Sequence, residues 1–319
     1  MTVPALASPA LTLPALVDTA GDRARVRFLE FFAVSIRNPN TRRAYTNAVR
    51  DFLAWCEGAG VAELAAIAPI HVASWIELQG RTLSAPTVKQ QLAGIRSLFD
   101  WLVVGQIVPH NPAASVRGPS YSTKRGKTPA LSPEEMHDII AAIDVSTPIG
   151  LRDRALIGLM VYTFARVGAA TGMKVEDAYV QGRRLWVRLH EKGGKLHDMP
   201  CHHRLEEWLI AYMDECRLMD RPRAPLFQTI ARGTGALSGT AMPQQSVFAM
   251  IQRRAKATGI RTKIGAHSFR ATGITIFRGA GGTLEQAQHM ANHASPRTTQ
   301  LYDRRMDAIT LDEVERIRF

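Results

Sequence analysis

The strongest hydrophobic signal along the chain is helical. Apolar residues recur at Val88, Leu92, Ile95, Phe99 and Leu102, a spacing that draws one stripe along a helix opened by Ser84-Ala85-Pro86. A second stripe runs through Tyr45, Ala48, Phe52 and Cys56, with Thr41 as its expected cap and Gly58 and Gly60 as its stop. Arg23 to Ile36 reads as an earlier helix ended by Asn38-Pro39-Asn40, and about Ile70 to Gln79 as a shorter one. These elements predict an all-helical region over residues 21–115, closed by Asn111-Pro112. Before it, residues 1–20 are small, apolar and broken by Pro4, Pro9 and Pro14. They lack the basic start and unbroken apolar run of a secretion signal, and are expected to form a flexible tail.

The pattern changes after a polar stretch. Ser132-Pro133-Glu134-Glu135 is a capping box with proline at the first helical position. An apolar helix is expected from about Arg152 to Phe164. From Arg184 to Leu189 the period falls to two, with Leu185 and Val187 alternating against Arg184, Trp186 and Arg188. That is a strand, and the Lys192-Gly193-Gly194-Lys195 turn joins it to a second strand over about Leu196 to Met199. Helices are then expected over about 204–216, 245–257, 267–278, 284–292 and 311–317. The fold class is mainly α with a small antiparallel β-sheet, in two domains: residues 21–115 and residues 131–319.

Charge changes the picture. The chain of 319 residues carries 40 Lys and Arg against 28 Asp and Glu, a net charge of +12. Such an excess suits a polyanionic partner, because clustered cations gain affinity by releasing phosphate counterions. Residues 116–130 hold Arg117, Lys124, Arg125 and Lys127 with no acid. They read as a solvated linker that could also follow a phosphate backbone. The three cysteines, Cys56, Cys201 and Cys216, give no disulfide framework and fit a reducing cytoplasm. No run approaches the roughly 18 apolar residues of a membrane span. His190, His197, Cys201, His202 and His203 lie close together but lack the paired spacing of a zinc site.

Candidate chemistry lies in the second region. Arg166 follows an apolar helix, Lys192 opens a glycine turn, His267 and Arg270 stand one helical turn apart, His293 follows Asn292, and Tyr302 comes last. Taken singly, each has an ordinary reading: ion-pair partner, surface lysine, exposed helix face, helix cap, half-buried ring. Taken in order, with gaps of 26 residues from Arg166 to Lys192, 26 from His267 to His293 and 9 from His293 to Tyr302, they form one set. Arginine forks hold phosphate oxygens and stay charged, and a tyrosine can attack phosphorus.

At these residues the chain resembles the tyrosine recombinase (phage integrase) family, over about Ser132 to Tyr302, and the helices from Thr41 to Pro112 resemble that family's core-binding domain. The resemblance implies a site-specific DNA recombinase or integrase working through a 3′-phosphotyrosine. It assigns Arg166 and Arg270 to the phosphate, His293 to a further hydrogen bond, His267 to the base, Tyr302 to the nucleophile and Lys192 to the general acid, with Lys195 as the rival. It implies no cofactor. Its partners would be double-stranded DNA and further copies of the chain, as a tetramer on two DNA sites with exchange of the C-terminal helix at about 311–317. The place of action would be the cytoplasm, on the nucleoid when bound.

Two positions depart from the family pattern. Ala169 stands where an acid usually follows the first arginine, and Ala291-Asn292 replaces the usual Leu-Gly before the second histidine. A type IB-like topoisomerase and a catalytically weakened architectural DNA-binding protein remain as alternatives, the second resting on Ala169.

Overall fold

A computed structural model describes residues 13–122, 126–191 and 193–304. Lys124, Arg125, Lys192 and the helix expected at 311–317 lie outside the described residues. The chain divides into two compact units, Met1–Ser122 and Thr123–Phe319.

The first unit is helical: α1 (Ala15–Thr19), α2 (Asp22–Glu30), α3 (Pro39–Gly58), α4 (Pro69–Gly80) and α5 (Ala85–Val104). The stripe read on α5 is the buried one, with Val88, Leu92, Ile95, Phe99 and Leu102 all inside. Phe52 of α3 meets Trp75 of α4 at 5.4 Å and Phe99 of α5 at 6.5 Å, both edge to face. Such aromatic pairs add to the area they bury.

Four details correct the sequence reading. Within the expected tail, α1 folds, burying Leu16 and Val17, and Leu16 N–H donates to Glu57 at 3.1 Å. The helix expected over 23–36 ends at Glu30 and widens into a π turn, Phe31–Ser35. Neighbours on an α-helix point about 100° apart; the wider turn lets Phe31 and Phe32 both enter the core. The cap of α3 is Asn38, not Thr41: its side chain accepts from the Asn40 and Thr41 N–H groups, and Pro39 needs no acceptor. Val116, within the expected linker, is buried, and Arg96 donates to its carbonyl oxygen at 2.8 Å.

The second unit contains α6 (Pro133–Ala141), α7 (Pro148–Tyr162), α8 (Val167–Thr171), α9 (His203–Glu215), α10 (Gln244–Ala257), α11 (Ala266–Gly279), α12 (Leu284–Met290) and α13 (Pro296–Gln300). Three antiparallel strands, β1 (Ala178–Gln181), β2 (Arg184–His190) and β3 (Leu196–Pro200), are ordered β1-β2-β3. A separate hairpin pairs β4 (Gln228–Ile230) with β5 (Leu237–Ala241). Buried along most of its length, α7 forms the centre, packed against α9 and α11. Asp153 on α7 is fully buried between Arg152 and Arg254, each at 2.7 Å. The elements absent from the sequence reading, β1, β4, β5, α8 and α13, span three to five residues each. That is too short for a periodicity to repeat.

Candidate active site

His267 and Arg270 sit on the opening turns of α11, on one face. This helix must approach α7 closely. A Cβ built at Gly273 would lie 2.2 Å from the Val161 carbonyl oxygen and 2.8 Å from the Phe164 ring. At its start, Gly265 N–H donates to Ser268 Oγ at 3.1 Å. Arg270 is thereby carried into the interior, where it is 1% exposed.

Two backbone carbonyls aim the buried guanidinium. Arg270 Nη1 donates to Phe164 O and Nη2 to Ala291 O. Phe164 holds a left-handed conformation, φ 54°, rare for a bulky residue, and this turns its carbonyl toward α11. Among the described residues, Arg270 Nε is buried with no hydrogen-bond partner. A buried donor of this kind calls for an acceptor.

Arg270 Nη2 also donates to His293 Nε2 at 2.5 Å. His293 arrives there through the end of α12. Its N–H donates to Gln288 O at 3.1 Å, and Asn292 N–H donates to His289 O at 3.0 Å. This pair of bonds is a Schellman motif, which needs a left-handed residue before His293. Asn292 supplies it at φ 46°. Asparagine is the residue after glycine best able to do so, so the departure from Leu-Gly keeps the backbone geometry.

Arg166 occupies the position just before α8, half-exposed, with its guanidinium paired to the buried Glu191. The sequence reading missed Glu191. A signal was present: Leu185, Val187 and Leu189 face the core from β2, and the same alternation carries position 191 inward. An acid at an inward register needs a cation.

Tyr302 follows α13. Its hydroxyl lies 3.3 Å from His267 Nδ1. Its ring stacks on His293 at 5.6 Å and 15°, and the Arg270 guanidinium carbon lies 5.6 Å from the ring centre. The flanking chain is held on both sides. Thr275 Oγ1 donates to Tyr302 O at 3.2 Å; Asp303 is buried and pairs with Arg278 at 3.2 Å; Arg304 donates to Thr128 O at 2.8 Å and to Gly126 O. A small apolar cluster of Phe164, Ile274, Ala287 and Ala291 lies beneath the ring.

Two arginines make the site electropositive, and the histidines respond. Burial, then Arg270 and Arg166, pushes His293 down to about 3. Partial desolvation and the same two arginines hold His267 below its ordinary value of 6.5. Arg270 is lowered to about 10, chiefly by burial, and keeps its charge at neutral pH. The result is two cations and two neutral imidazoles around a phenol, an arrangement suited to an oxyanion in a partly dry setting.

Five of the six residues singled out for chemistry therefore converge: Arg166, His267, Arg270, His293 and Tyr302. Lys192 lies outside the described residues. Gly193 and Gly194 beside it adopt φ 82° and 77°, and Glu191 N–H donates to Lys195 O at 2.8 Å to close the turn. Lys195, Arg117 and Lys127 are exposed. The histidine and cysteine group disperses: His190 pairs with Asp177 at 2.9 Å, His197 donates to Met290 O at 3.0 Å, and His202 stacks on Tyr162 at 4.3 Å. Among the described residues no group of three or more His, Cys, Asp or Glu could hold a metal ion. Among them, too, no helix is long and apolar enough to cross a membrane.

Comparison with known proteins gives matches over both units. Residues 129–308 match the model of the phage integrase family, and residues 26–105 match that of the phage integrase N-terminal SAM-like domain. Tyrosine recombinase XerD of Pseudomonas aeruginosa is 29% identical over 269 residues, covering 82% of this chain and 86% of the relative. Tyrosine recombinase XerC 2 of Ralstonia nicotianae is 28% identical over 299 residues, covering 90% and 84%. Among solved structures, the XerH site-specific recombinase in a post-cleavage complex with its palindromic difH substrate has the same fold, with TM-score 0.67 at 19% identity, covering 86% of this chain and 78% of that one. A lambda integrase tetramer bound to a Holliday junction gives TM-score 0.66 at 19% identity, with 90% and 79% covered.

Proposed function

The chain belongs to the phage integrase family, and from that premise we propose that it is a tyrosine-type site-specific DNA recombinase whose five convergent residues handle one phosphodiester. The observation that carries this reading is Tyr302, whose hydroxyl lies 3.3 Å from His267 Nδ1 and whose ring centre lies 5.6 Å from the Arg270 guanidinium carbon.

Arg166 and Arg270 take the two non-bridging oxygens. Each gains negative charge as the fifth oxygen approaches phosphorus, and the guanidinium forks stabilise that charge. The Nε–H of Arg270 is a donor with this task. Neutral His267 accepts the phenolic proton through Nδ1, which lifts the nucleophilicity of a group whose ordinary pKa is about 10. The Tyr302 oxygen bonds to phosphorus and the bond from phosphorus to the DNA 5′-oxygen breaks. Lys192 protonates that oxygen, leaving a 5′-hydroxyl and a 3′-phosphotyrosine. In the second half, a 5′-hydroxyl from the partner duplex attacks the phosphotyrosine, releases Tyr302 and restores a phosphodiester. One phosphate ester replaces another in each step, so the strand exchange needs no external energy source.

His293 acts on this site through Arg270. With Nε2 engaged as an acceptor, its ring sets the tilt of the guanidinium, and a hydrogen bond to phosphate requires that contact to open. The basic residues Arg117, Lys124, Arg125, Lys127 and Lys195 serve the DNA backbone, and two sites are joined by several copies of the chain, with residues 311–317 reaching a neighbour. The protein acts on cytoplasmic DNA.

A DNA fragment flanking the gene, once shown to bind, provides the test. On a nicked version of it the protein is expected to form an SDS-resistant complex that Tyr302→Phe abolishes while binding persists. Relaxation of any supercoiled plasmid by a lone protomer, without a second site, would instead mark a topoisomerase. Binding with no adduct would mark an architectural protein.

A further inference from the structure

Arg166 stands at a helix start that offers it no acidic neighbour. Its side chain makes no capping bond to α8, and the residue one turn on, Ala169, is a buried methyl group. A half-exposed arginine with nothing to hold it samples many rotamers, and a phosphate clamp must be aimed before it can stabilise a transition state. Among the described residues the ion-pair partner of Arg166 is Glu191, whose side chain is 4% exposed.

Glu191 reaches that position through the pleat of β2, one register beyond Leu189, and lies 25 residues from Arg166 in sequence. It also governs the turn that follows. Its backbone N–H closes the turn on Lys195 O at 2.8 Å, with Gly193 and Gly194 in the left-handed region between them. One residue therefore grips Arg166 with its side chain and bonds to Lys195 with its main chain.

We propose that Glu191 is the positioning acid of this site: it aims Arg166 at the phosphate from the end of β2, in place of an acid on the helix of Arg166 itself. This rests on the reading of Arg166 as a phosphate clamp. Glu191 touches no reacting atom. Its effect passes through Arg166, and removing its charge leaves the arginine present but misaimed.

The experiment compares wild type, Glu191→Gln, Glu191→Asp, Arg166→Ala and the double variant Glu191→Gln/Arg166→Ala. Single-turnover adduct formation on the nicked fragment is measured beside DNA affinity. Glu191→Gln is expected to slow adduct formation about 10- to 100-fold, the usual loss when the partner of an active-site group is removed. DNA affinity is expected to stay within about twofold, since the loss falls on the transition state. Glu191→Asp recovers part of the rate. The double variant is no slower than Arg166→Ala, because an effect routed through Arg166 vanishes with it. Multiplying losses, or a full rate for Glu191→Gln, would overturn the proposal.

Two further arms separate the causes. A substrate whose leaving 5′-oxygen is replaced by sulfur needs no proton donor, so it restores a Lys192→Ala variant and is expected not to restore Glu191→Gln. Restoration of Glu191→Gln by sulfur would transfer its role to the lysine turn and sink the Arg166 assignment. The guanidinium NMR signals of Arg166 in the DNA-free protein give a readout independent of cleavage. Slow rotation in wild type and fast rotation in Glu191→Gln support the pairing; identical rotation refutes it, even if no adduct forms on any DNA and the recombinase reading falls separately.

Discussion

Arg270 and His293 share a hydrogen bond of 2.5 Å that can run in only one direction. A guanidinium has no lone pair to offer, so the arginine donates and His293 Nε2 accepts. The ring proton must then sit on Nδ1, which faces Thr299 Oγ1 at 2.9 Å and donates to it. One contact thus sets the tautomer of the histidine and the tilt of the arginine.

Arg270→Lys keeps a positive charge and loses the fork. The carbonyls of Phe164 and Ala291, both buried, lose their donors, at a cost of about 1–3 kcal/mol in stability. Adduct formation is expected to fall roughly 100- to 1,000-fold, as when a fixed oxyanion donor is removed. Urea denaturation and single-turnover cleavage check the two effects. A lysine variant with full activity would show that charge alone suffices.

His293 makes folding sensitive to acid. Its folded-state value, about 3, lies below the unfolded value of 6.5, so the unfolded chain binds a proton first. Its contribution is present in full above about pH 6.5 and is lost as pH falls toward 3, by up to about 1.4 kcal/mol per pH unit. His293→Gln is expected to flatten the stability difference between pH 7 and pH 4. Equal acid sensitivity in both proteins would place the titrating group elsewhere.

His267 carries the same sign into catalysis. Its lowered value keeps the imidazole neutral and base-competent at pH 7. The acid limb of kcat/KM for adduct formation, which reports the free enzyme, is therefore expected below pH 6.5. A limb above 6.5 would mean that His267 is not the base, or that it titrates on a different partner.

Asn292 tests the backbone argument. Asn292→Gly is expected to match or slightly exceed wild-type stability, since glycine adopts φ 46° without strain. Asn292→Val is expected to cost about 1–2 kcal/mol, the usual penalty for forcing an ordinary residue into the left-handed region. Cleavage should fall with it, because His293 is the next residue. Thermal melts and adduct yield decide; a tolerated valine would remove the Schellman turn as the device that delivers His293.

Gly273→Ala probes the seam between α11 and α7. Its methyl would lie 2.2 Å from the Val161 carbonyl oxygen, and main chain cannot rotate away. Stability is expected to drop by about 1–3 kcal/mol, the range for overpacking. If the urea midpoint does not move, the two helices are further apart than described.

Much of the molecule was legible in its residues because the governing signals are local. The stripe on α5 and the alternation on β2 each repeat a period within one element, and the structure buries the residues those periods select; the capping box before α6 is a local hydrogen-bond pattern, and its bonds form as read. The set Arg166, His267, Arg270, His293 and Tyr302 was legible through its resemblance to a family pattern, and the structure brings these five together, while Lys192 lies outside the described residues. What tertiary structure decided is whatever depends on elements distant in sequence. Glu191 meeting Arg166, Phe164 turning its carbonyl to Arg270, and Arg304 bonding to Thr128 all join segments whose separations carry no period. Ala169 and Asn292, read along the chain, were departures from a pattern. In the folded unit, a buried carboxylate from β2 pairs with the arginine near Ala169, and Asn292 supplies the left-handed turn that glycine would have supplied. A sequence specifies which groups are present, but packing decides which of them are brought within reach of one another.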